Sequence, residues 1–579
     1  MARKKTSTRS SKRPNVFVIG PTEGGTSSLH QVLTTHGKIS GGREEEINYF
    51  SLFHKEKRNW YLDYFKDSET ADFYVDASPT YFDMCLNVPT AERIKKFSSK
   101  AKIIILIRNP VERAVSHFNH LKNTIKTPAL KDINFDDLMA RNWDAADTKE
   151  LETIRERIIA FSRYEQKIEK FVSVFGHDNV IVVHNDDLRA HGAIVVGQIF
   201  DFLGLDTPDD VDFSQQRWVH GSEAIGVSEQ HYFELIKEFG EDYYRSCKVV
   251  DVKRPVAPDG TAEFNQPVGA LVGDVAIGAD GWLFLSGGSN NVLNMYLEDE
   301  ADHLAVCARW HAIAQERADR LKAINAQFRQ VMIPEKMTVL GDKLGWPIAF
   351  DRSRGASFFK TAPAPLRQNI IDAVGYFTTK LKNPERLYLK TDSHWSHVGA
   401  FVAYQLICST MGLKVRADLL SRPTREVDLV LDLGSKLPIP VTEKAQFAKF
   451  LSDAKIVNDE GLIRYKRDHN LLNEGKLHVG SKIVFENETA PNDQTVILFG
   501  DSFSEYRDNL LTGLMSETFR KVIFVWSTSV DYTLCETVKP DIVLCVMTER
   551  FMNLFPNDAF NVEEHAQKRI EDYERRQTS

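Results

Sequence analysis

Cysteine is scarce in this 579-residue sequence: Cys85, Cys247, Cys307, Cys408, Cys535 and Cys545 stand far apart, with no Cys-x-x-Cys pair. That spacing excludes a zinc-ribbon or disulfide framework, and it predicts buried free thiols in a reducing compartment and no metal site. Long hydrophobic runs are also lacking. None reaches the roughly 18–20 residues a membrane helix needs, so no membrane span is expected. Positive charge is not in excess either: 73 Lys and Arg against 81 Asp and Glu leave a formal charge of −8. Nucleic acid is therefore not the expected partner, and any anion site must be local. The start, "MARKKTSTRSSKRP", carries six basic residues with no apolar segment behind them. It does not read as a secretory signal, and residues 1–14 are expected to form a disordered basic tail on a cytoplasmic protein.

What is present is an α/β pattern, and at 579 residues more than one core is expected. From 15 to 250, apolar runs such as "NVFVIG", "KIIILI" and "NVIVVH" read as buried parallel strands. Amphipathic stretches such as "IRERIIAFSRYEQKIEKFVSVFG" read as the crossover helices between them. Residues 251–268 are rich in Pro, Gly and charge and read as a linker. A second alternating series fills 269–579, with a long helix expected around Leu304 to Phe328 and strands at "FRQVMIP" and "QTVILFG".

The first constellation is "NVFVIGPTEGGTSSLHQVL", a strand, a Gly-rich turn and a helix start. Such a junction directs backbone N–H groups and the positive end of a helix dipole at one point. Gly24 and Gly25 permit close approach, and Thr26, Ser27 and Ser28 add hydroxyl donors. It is not a nucleoside-triphosphatase P-loop, because Thr26 stands where that motif has Lys. Further on, "KIIILIRNPVERAVSHFNHLK" ends a strand in Arg108 and opens a helix carrying Arg113 and Ser116, a second anion site built from side chains.

In this order the two stretches resemble the PAPS-dependent sulfotransferases (PAPS is phosphoadenosine phosphosulfate), particularly the carbohydrate type related to heparan sulfate sulfotransferases. The resemblance implies a P-loop-like parallel sheet over 15–250. It also implies that the first loop, Glu23 to Ser28, holds the phosphosulfate end, and that Arg108 and Ser116 hold the phosphate on the ribose. "REEEINYF" matches the family segment that supplies a base, which falls on Glu46; the alternative is a solvated member of the acidic run Glu44 to Glu46. One position departs from the family. Its loop carries a Lys where this sequence has Glu23, and an acid there repels a phosphosulfate by several kcal/mol at intermediate dielectric. Lys38 and Arg43 are candidates to compensate, and "QRWVHGSEAIG" is the nearest match to the family's later donor-binding stretch.

The second constellation pairs "QTVILFGDSFSEYR" with "LYLKTDSHWSHVGAFVAYQL". Ser502 follows a buried strand in a sharp turn, where it is either an exposed nucleophile or an ordinary helix cap. Asp392 and His394, two residues apart ahead of a helix, can act as orienting acid and general base. Together they resemble the SGNH-superfamily alginate O-acetyltransferases, which implies an SGNH-hydrolase-like α/β domain and an Asp392, His394, Ser502 triad. It further implies oxyanion donors from the Ser502 backbone N–H and from Asn290 or Asn291. Those relatives are exported, whereas this sequence reads without a signal, and a cytoplasmic triad can draw directly on acetyl-CoA or another acetyl donor. Acyl transfer and ester hydrolysis use the same triad and stay open as alternatives. The combined expectation is a bifunctional enzyme that sulfates and O-acetylates a polysaccharide or glycan. Its rival is an N-terminal half disabled by Glu23, natural or introduced, that serves as a glycan- or nucleotide-binding module.

Overall fold

The computed structural model describes residues 12–66, 71–143, 148–208, 227–249, 267–346, 350, 352–472, 474–507 and 509–578. The basic tail to residue 11, most of the expected linker and the stretch "QRWVHGSEAIG" lie outside the described residues. The chain divides into two compact units, Met1–Val272 with Ile277–Asp280, and Gly273–Ala276 with Gly281–Ser579.

The first unit is built on five parallel strands: β1 (Val16–Ile19), β2 (Ile39–Gly41), β3 (Phe73–Ala77), β4 (Lys102–Ile107) and β5 (Val180–His184). Their spatial order is β2-β3-β1-β4-β5. Strands rich in Val and Ile and covered on both faces suit this arrangement. Alternate residues Val16, Val18, Ile104, Leu106, Ile181 and Val183 turn to one face, where they meet Leu29, Val32, Leu33, Val195, Val196 and Ile199. These come from helices α1 (Thr26–Leu33) and α5 (Gly192–Leu203). Between them in sequence lie α2 (Pro110–Asn119), α3 (Thr148–Phe161) and α4 (Glu165–Phe175). The chain leaves β1 for β2 and β3 on one side and later enters β4 on the other, so the carboxyl ends of β1 and β4 flank the crevice where open α/β sheets bind ligands. Here the backbones crowd: a Cβ on Gly20 would stand 2.2 Å from the Leu106 carbonyl oxygen.

The second unit carries a seven-stranded sheet. Its strands are β6 (Gln327–Ile333), β7 (Ile370–Ile371), β10 (Lys455–Asn458), β11 (Lys482–Glu486), β12 (Asn492–Gly500), β13 (Phe519–Trp526) and β14 (Ile542–Thr548); a separate hairpin pairs β8 (Thr424–Val430) with β9 (Thr442–Ala448). The order is β7-β6-β14-β12-β13-β11-β10. The first five strands run parallel and the last two join antiparallel. The long helix, α6, spans Glu300–Ala323. It ends earlier than the sequence pattern predicts, because Phe328 belongs to β6 and packs in the core beside Leu321. Both sheets are mixed with helices, and the chain is α/β throughout.

Candidate functional sites

In the second unit Ser502 stands just past β12, a strand with parallel neighbours on both sides. It lies in a turn, and the next helix begins only at Leu511, so it is not a helix cap. The turn is pinned by the buried Asp501 carboxylate, which accepts from the Phe503 N–H at 2.9 Å and from the Thr548 N–H and hydroxyl at 2.7 and 2.9 Å. Asp392 and His394 precede α7 (His397–Thr410), whose cap Ser396 accepts from the Val398 and Gly399 N–H groups.

The three residues converge. His394 Nε2 lies 2.8 Å from Ser502 Oγ. On the other side of the ring, Nδ1 lies 2.6 Å from Asp392 Oδ1. A carboxylate can only accept here, so Nδ1 carries the proton and Nε2 faces the serine hydroxyl as acceptor. Burial alone would lower the His394 pKa, but the Asp392 charge and hydrogen bond outweigh it, and the pKa is raised. Asp392 moves the opposite way: burial opposes its charge, yet His394 and Lys336 hold its pKa below the ordinary range.

Long-range contacts fix the loop. The Lys336 ammonium, just beyond β6, donates to the carbonyls of Leu389, Lys390 and Asp392 at 2.8, 3.1 and 2.6 Å. Burial pushes its pKa down to about 8, with Asp392, Asp432 and Glu443 opposing. Glu443 accepts from the Lys390 and Thr391 N–H groups. Asp432 accepts from the Ser393 N–H and hydroxyl at 2.7 and 2.6 Å. Arg550, beyond β14, pairs with Glu335 and donates to the Ser393 carbonyl. Asp392, His394 and Asp432 bring donor atoms within 4.8 Å of one another, a cluster these hydrogen bonds account for. The triad opens on a cleft of about 760 Å³. Asn290 lines it, whereas Asn291 does not.

In the first unit the loop after β1 is held from two sides. Asp83 accepts from the Thr22 N–H and hydroxyl at 2.9 and 2.7 Å, and Asn185 Nδ2 donates to the Gly24 carbonyl at 3.0 Å. Gly25 has φ 99°, and a Cβ there would lie 2.3 Å from Asn185 Nδ2. No side chain caps α1, so its N-terminus at Thr26, Ser27 and Ser28 is left to outside acceptors. Ser27 is exposed, and it and His30 hydrogen-bond Glu45, whose pKa falls, chiefly through His30. Arg108 is buried; it donates to the Glu23 carbonyl at 3.4 Å, lies 3.3 Å from Glu112, and its Nε has no partner.

Glu23 turns its carboxylate into this site. Ser116 Oγ donates to one oxygen at 2.9 Å, and His120 Nδ1 lies 3.4 Å from the other. Glu46 lies close enough for its pKa to be raised, first by partial desolvation and then by the Glu45 and Glu23 charges, with His120 opposing. Two expectations are corrected here. Arg113 does not present to an anion site: it is fully buried and donates to Ser162, Ile158 and Thr22. Arg43 pairs with Asp63, and the groups that face Glu23 are Ser116 and His120.

Comparison with known proteins agrees with this division. The profile of the sulfotransferase domain matches residues 13–252, and that of the SGNH hydrolase-like domain, acetyltransferase AlgX, matches 275–435. The chain joins a sulfotransferase domain to an SGNH hydrolase-like acetyltransferase domain. Both belong to enzymatic families. The bifunctional heparan sulfate N-deacetylase/N-sulfotransferase 1 of Mus musculus is 29% identical over 205 residues, 34% of this chain and 23% of the relative. Its Homo sapiens counterpart is 28% identical over 200 residues, 33% of this chain and 22% of the relative. The chain thus spans less than a quarter of these relatives' length. Among solved structures, a sulfotransferase from Alicyclobacillus acidocaldarius has TM-score 0.35 and 24% identity, covering 42% of this chain and 97% of that one. Bacillus cereus PatB1 with a sulfonyl adduct has TM-score 0.38 and 18% identity, covering 49% and 100%. The O-acetyltransferase domain of Pseudomonas putida AlgJ has TM-score 0.34 and 17% identity, covering 51% and 99%.

The AlgX match takes in Asp392 and His394 and stops short of Ser502. In the SGNH-like domain, sequence alone assigns no role to Asp432, Glu443, Lys336, Glu335 or Arg550. In the sulfotransferase domain the unassigned residue is His120, one turn after Ser116 and so on the same helix face.

Proposed function

We propose that this chain is a bifunctional carbohydrate-modifying enzyme, with an O-acyl-transferring serine triad in its second unit and a PAPS site in its first. The observation that carries the first half is the unbroken hydrogen-bonded line from Asp392 through His394 to Ser502 at the carboxyl edge of a parallel sheet. His394 takes the Ser502 proton as Oγ attacks an acyl carbonyl, while the Asp392 charge stabilises the imidazolium. The Ser502 backbone N–H and Asn290, which lines the cleft, are assigned to the developing oxyanion. His394 then returns the proton to the leaving group, and a sugar hydroxyl or water repeats the sequence. Acetyl-CoA, or another activated acetyl ester, is the donor class this chemistry requires.

This reading fixes the direction of pH dependence. The base works only when neutral, and Asp392 holds the His394 pKa above its ordinary value. The acid limb of kcat/KM for p-nitrophenyl acetate should therefore lie above about 6.5. Asp392→Asn should shift that limb to lower pH while cutting the plateau rate by orders of magnitude. An unshifted limb would mean that Asp392 does not control the base.

For the first unit the residues other than Glu23 fit the phosphates of PAPS. The open α1 N-terminus, the crowded Gly25 and the orphaned Arg108 Nε suit a nucleotide phosphate, and Ser116 adds a hydroxyl. When bound, PAPS supplies an activated sulfuryl group. In this reading Glu46 takes the acceptor's proton, and the desolvation that raises its pKa makes the carboxylate a stronger base. Glu23 favours the second reading, in which this unit binds nucleotide or glycan without turnover. Titration calorimetry with PAP, the desulfated nucleotide, tests the site: binding is expected, and Arg108→Ala should weaken it by at least tenfold. A chain that binds no PAP has no nucleotide site. We place the enzyme in the cytoplasm, where both donors are made, and its six buried, unbridged cysteines suit that compartment.

A further inference from the structure

Apart from the triad, one further cluster of titratable groups borders the same cleft. His478 and Trp526, at the end of β13, both line it, with their rings stacked at 4.5 Å between centroids and 4° between planes. Behind His478 lies Lys466, on helix α8 (Leu462–Asp468), which is fully buried. Its Nζ is 3.0 Å from His478 Nδ1. An ammonium group only donates, so Nδ1 must be the acceptor and the single ring proton sits on Nε2. Among the described residues Nε2 has no partner, and His478 lines the cleft.

The charges around the ring keep it neutral. Burial, then Lys466 and Arg507, push the His478 pKa down to about 4, with Glu474 opposing. Glu505, which lines the cleft and carries a raised pKa through burial, faces Lys466 and Arg507. Burial lowers Lys466 itself to about 8, with Glu505 opposing, so it still carries its proton at neutral pH. The outcome is an imidazole locked in one tautomer and one charge state across the physiological range, backed by an indole.

We propose that His478 and Trp526 form the acceptor subsite of the triad cleft, an aromatic platform for a pyranose ring with the His478 Nε2–H as a fixed donor to one of its oxygens. A flat apolar surface beside a single oriented donor recognises sugars, whose faces are apolar and whose edges are hydroxyl acceptors. Neutrality matters, since an imidazolium would attract water and anions in place of a hydroxyl. This proposal rests on the reading that Ser502 acylates a sugar.

The test separates the two. The full chain is acylated with p-nitrophenyl acetate, and the partition of acetyl between water and methyl glucoside, methyl N-acetylglucosaminide or methyl glucuronide is measured. His478→Phe keeps the stack and loses the donor. It should leave p-nitrophenol release within about twofold and raise KM for the sugar by about tenfold, the worth of one hydrogen bond in a closed site. Lys466→Met frees the tautomer, so Nε2–H is only partly populated at pH 7.5. The variant's sugar KM should therefore exceed the parent's at that pH and rise further as the freed ring charges below about 6.5, whereas the parent's stays flat from pH 5 to 7.5. The ¹⁵N shifts of His478 read the tautomer directly in both proteins, whether or not turnover survives. An unchanged sugar KM in His478→Phe, a parent acyl-enzyme that transfers to water alone, or a mixed tautomer in the parent would each overturn the subsite. Ester cleavage insensitive to Ser502 would instead sink the reading beneath it.

Discussion

Ser502→Ala is expected to lower p-nitrophenyl acetate cleavage and any acetyl transfer by roughly 10⁴-fold or more, about 5.5 kcal/mol of transition-state stabilisation. The Ser502 hydroxyl is the nucleophile at the end of the line from Asp392, so its loss removes the acyl-serine step. The fold should be unaffected. Among the described residues the Oγ hydrogen bond goes to His394 alone, while the turn is pinned by Asp501 with Thr548 and Phe503. Unfolding temperature and PAP binding should match the parent, which distinguishes a chemical loss from a structural one. The variant should also show no acyl-enzyme burst of p-nitrophenol. An alanine variant as active as the parent would dismiss the triad and assign the cleft another chemistry.

What made this site legible was adjacency. Ser502 follows a strand whose apolar run is unmistakable, and Asp392 and His394 are separated by one residue, so their relation needs no tertiary information. The groups that hold the loop are different. Glu443 and Asp432 lie on or between the strands of the β8–β9 hairpin, about 40 to 50 residues away, and read as surface acids in a sequence where 81 of 579 residues are acidic. Only folding shows that each caps backbone donors of one particular loop. Arg113 is the converse case. Three residues from Ser116, it looked like part of an anion site, and sequence offers no sign that Ser162, in the break between α3 and α4, would take its guanidinium into the core. Lys466 and His478 were invisible for the same reason: 12 residues apart on separate elements, they meet only because α8 and the turn before β11 pack together.

Glu23→Lys should raise PAPS-dependent sulfate transfer by about 10²–10³-fold, from a rate near background. The physical case is a charge reversal at the mouth of the phosphate cradle. At about 4 Å and an effective dielectric near 20, a carboxylate costs a bound dianion about 4 kcal/mol per charge pair, and an ammonium group returns a comparable amount. The backbone tolerates the exchange. Residue 23 has φ 69°, a left-handed conformation that Glu already adopts, and Lys adds no Cβ penalty beyond it. The substitution also releases Ser116 and His120 from the Glu23 carboxylate, so both are freed to face an anion. Glu23→Gln separates the two contributions: it removes the repulsion without adding a cation, and should tighten PAP binding with little gain in transfer. The order expected for PAP affinity is therefore Lys above Gln above Glu, and for transfer Lys far above both. If the lysine variant binds PAP tightly and still transfers nothing to any glycan acceptor, Glu46 is not serving as a base there. The first unit is then a binding module whose acid at position 23 is the mark of its altered task.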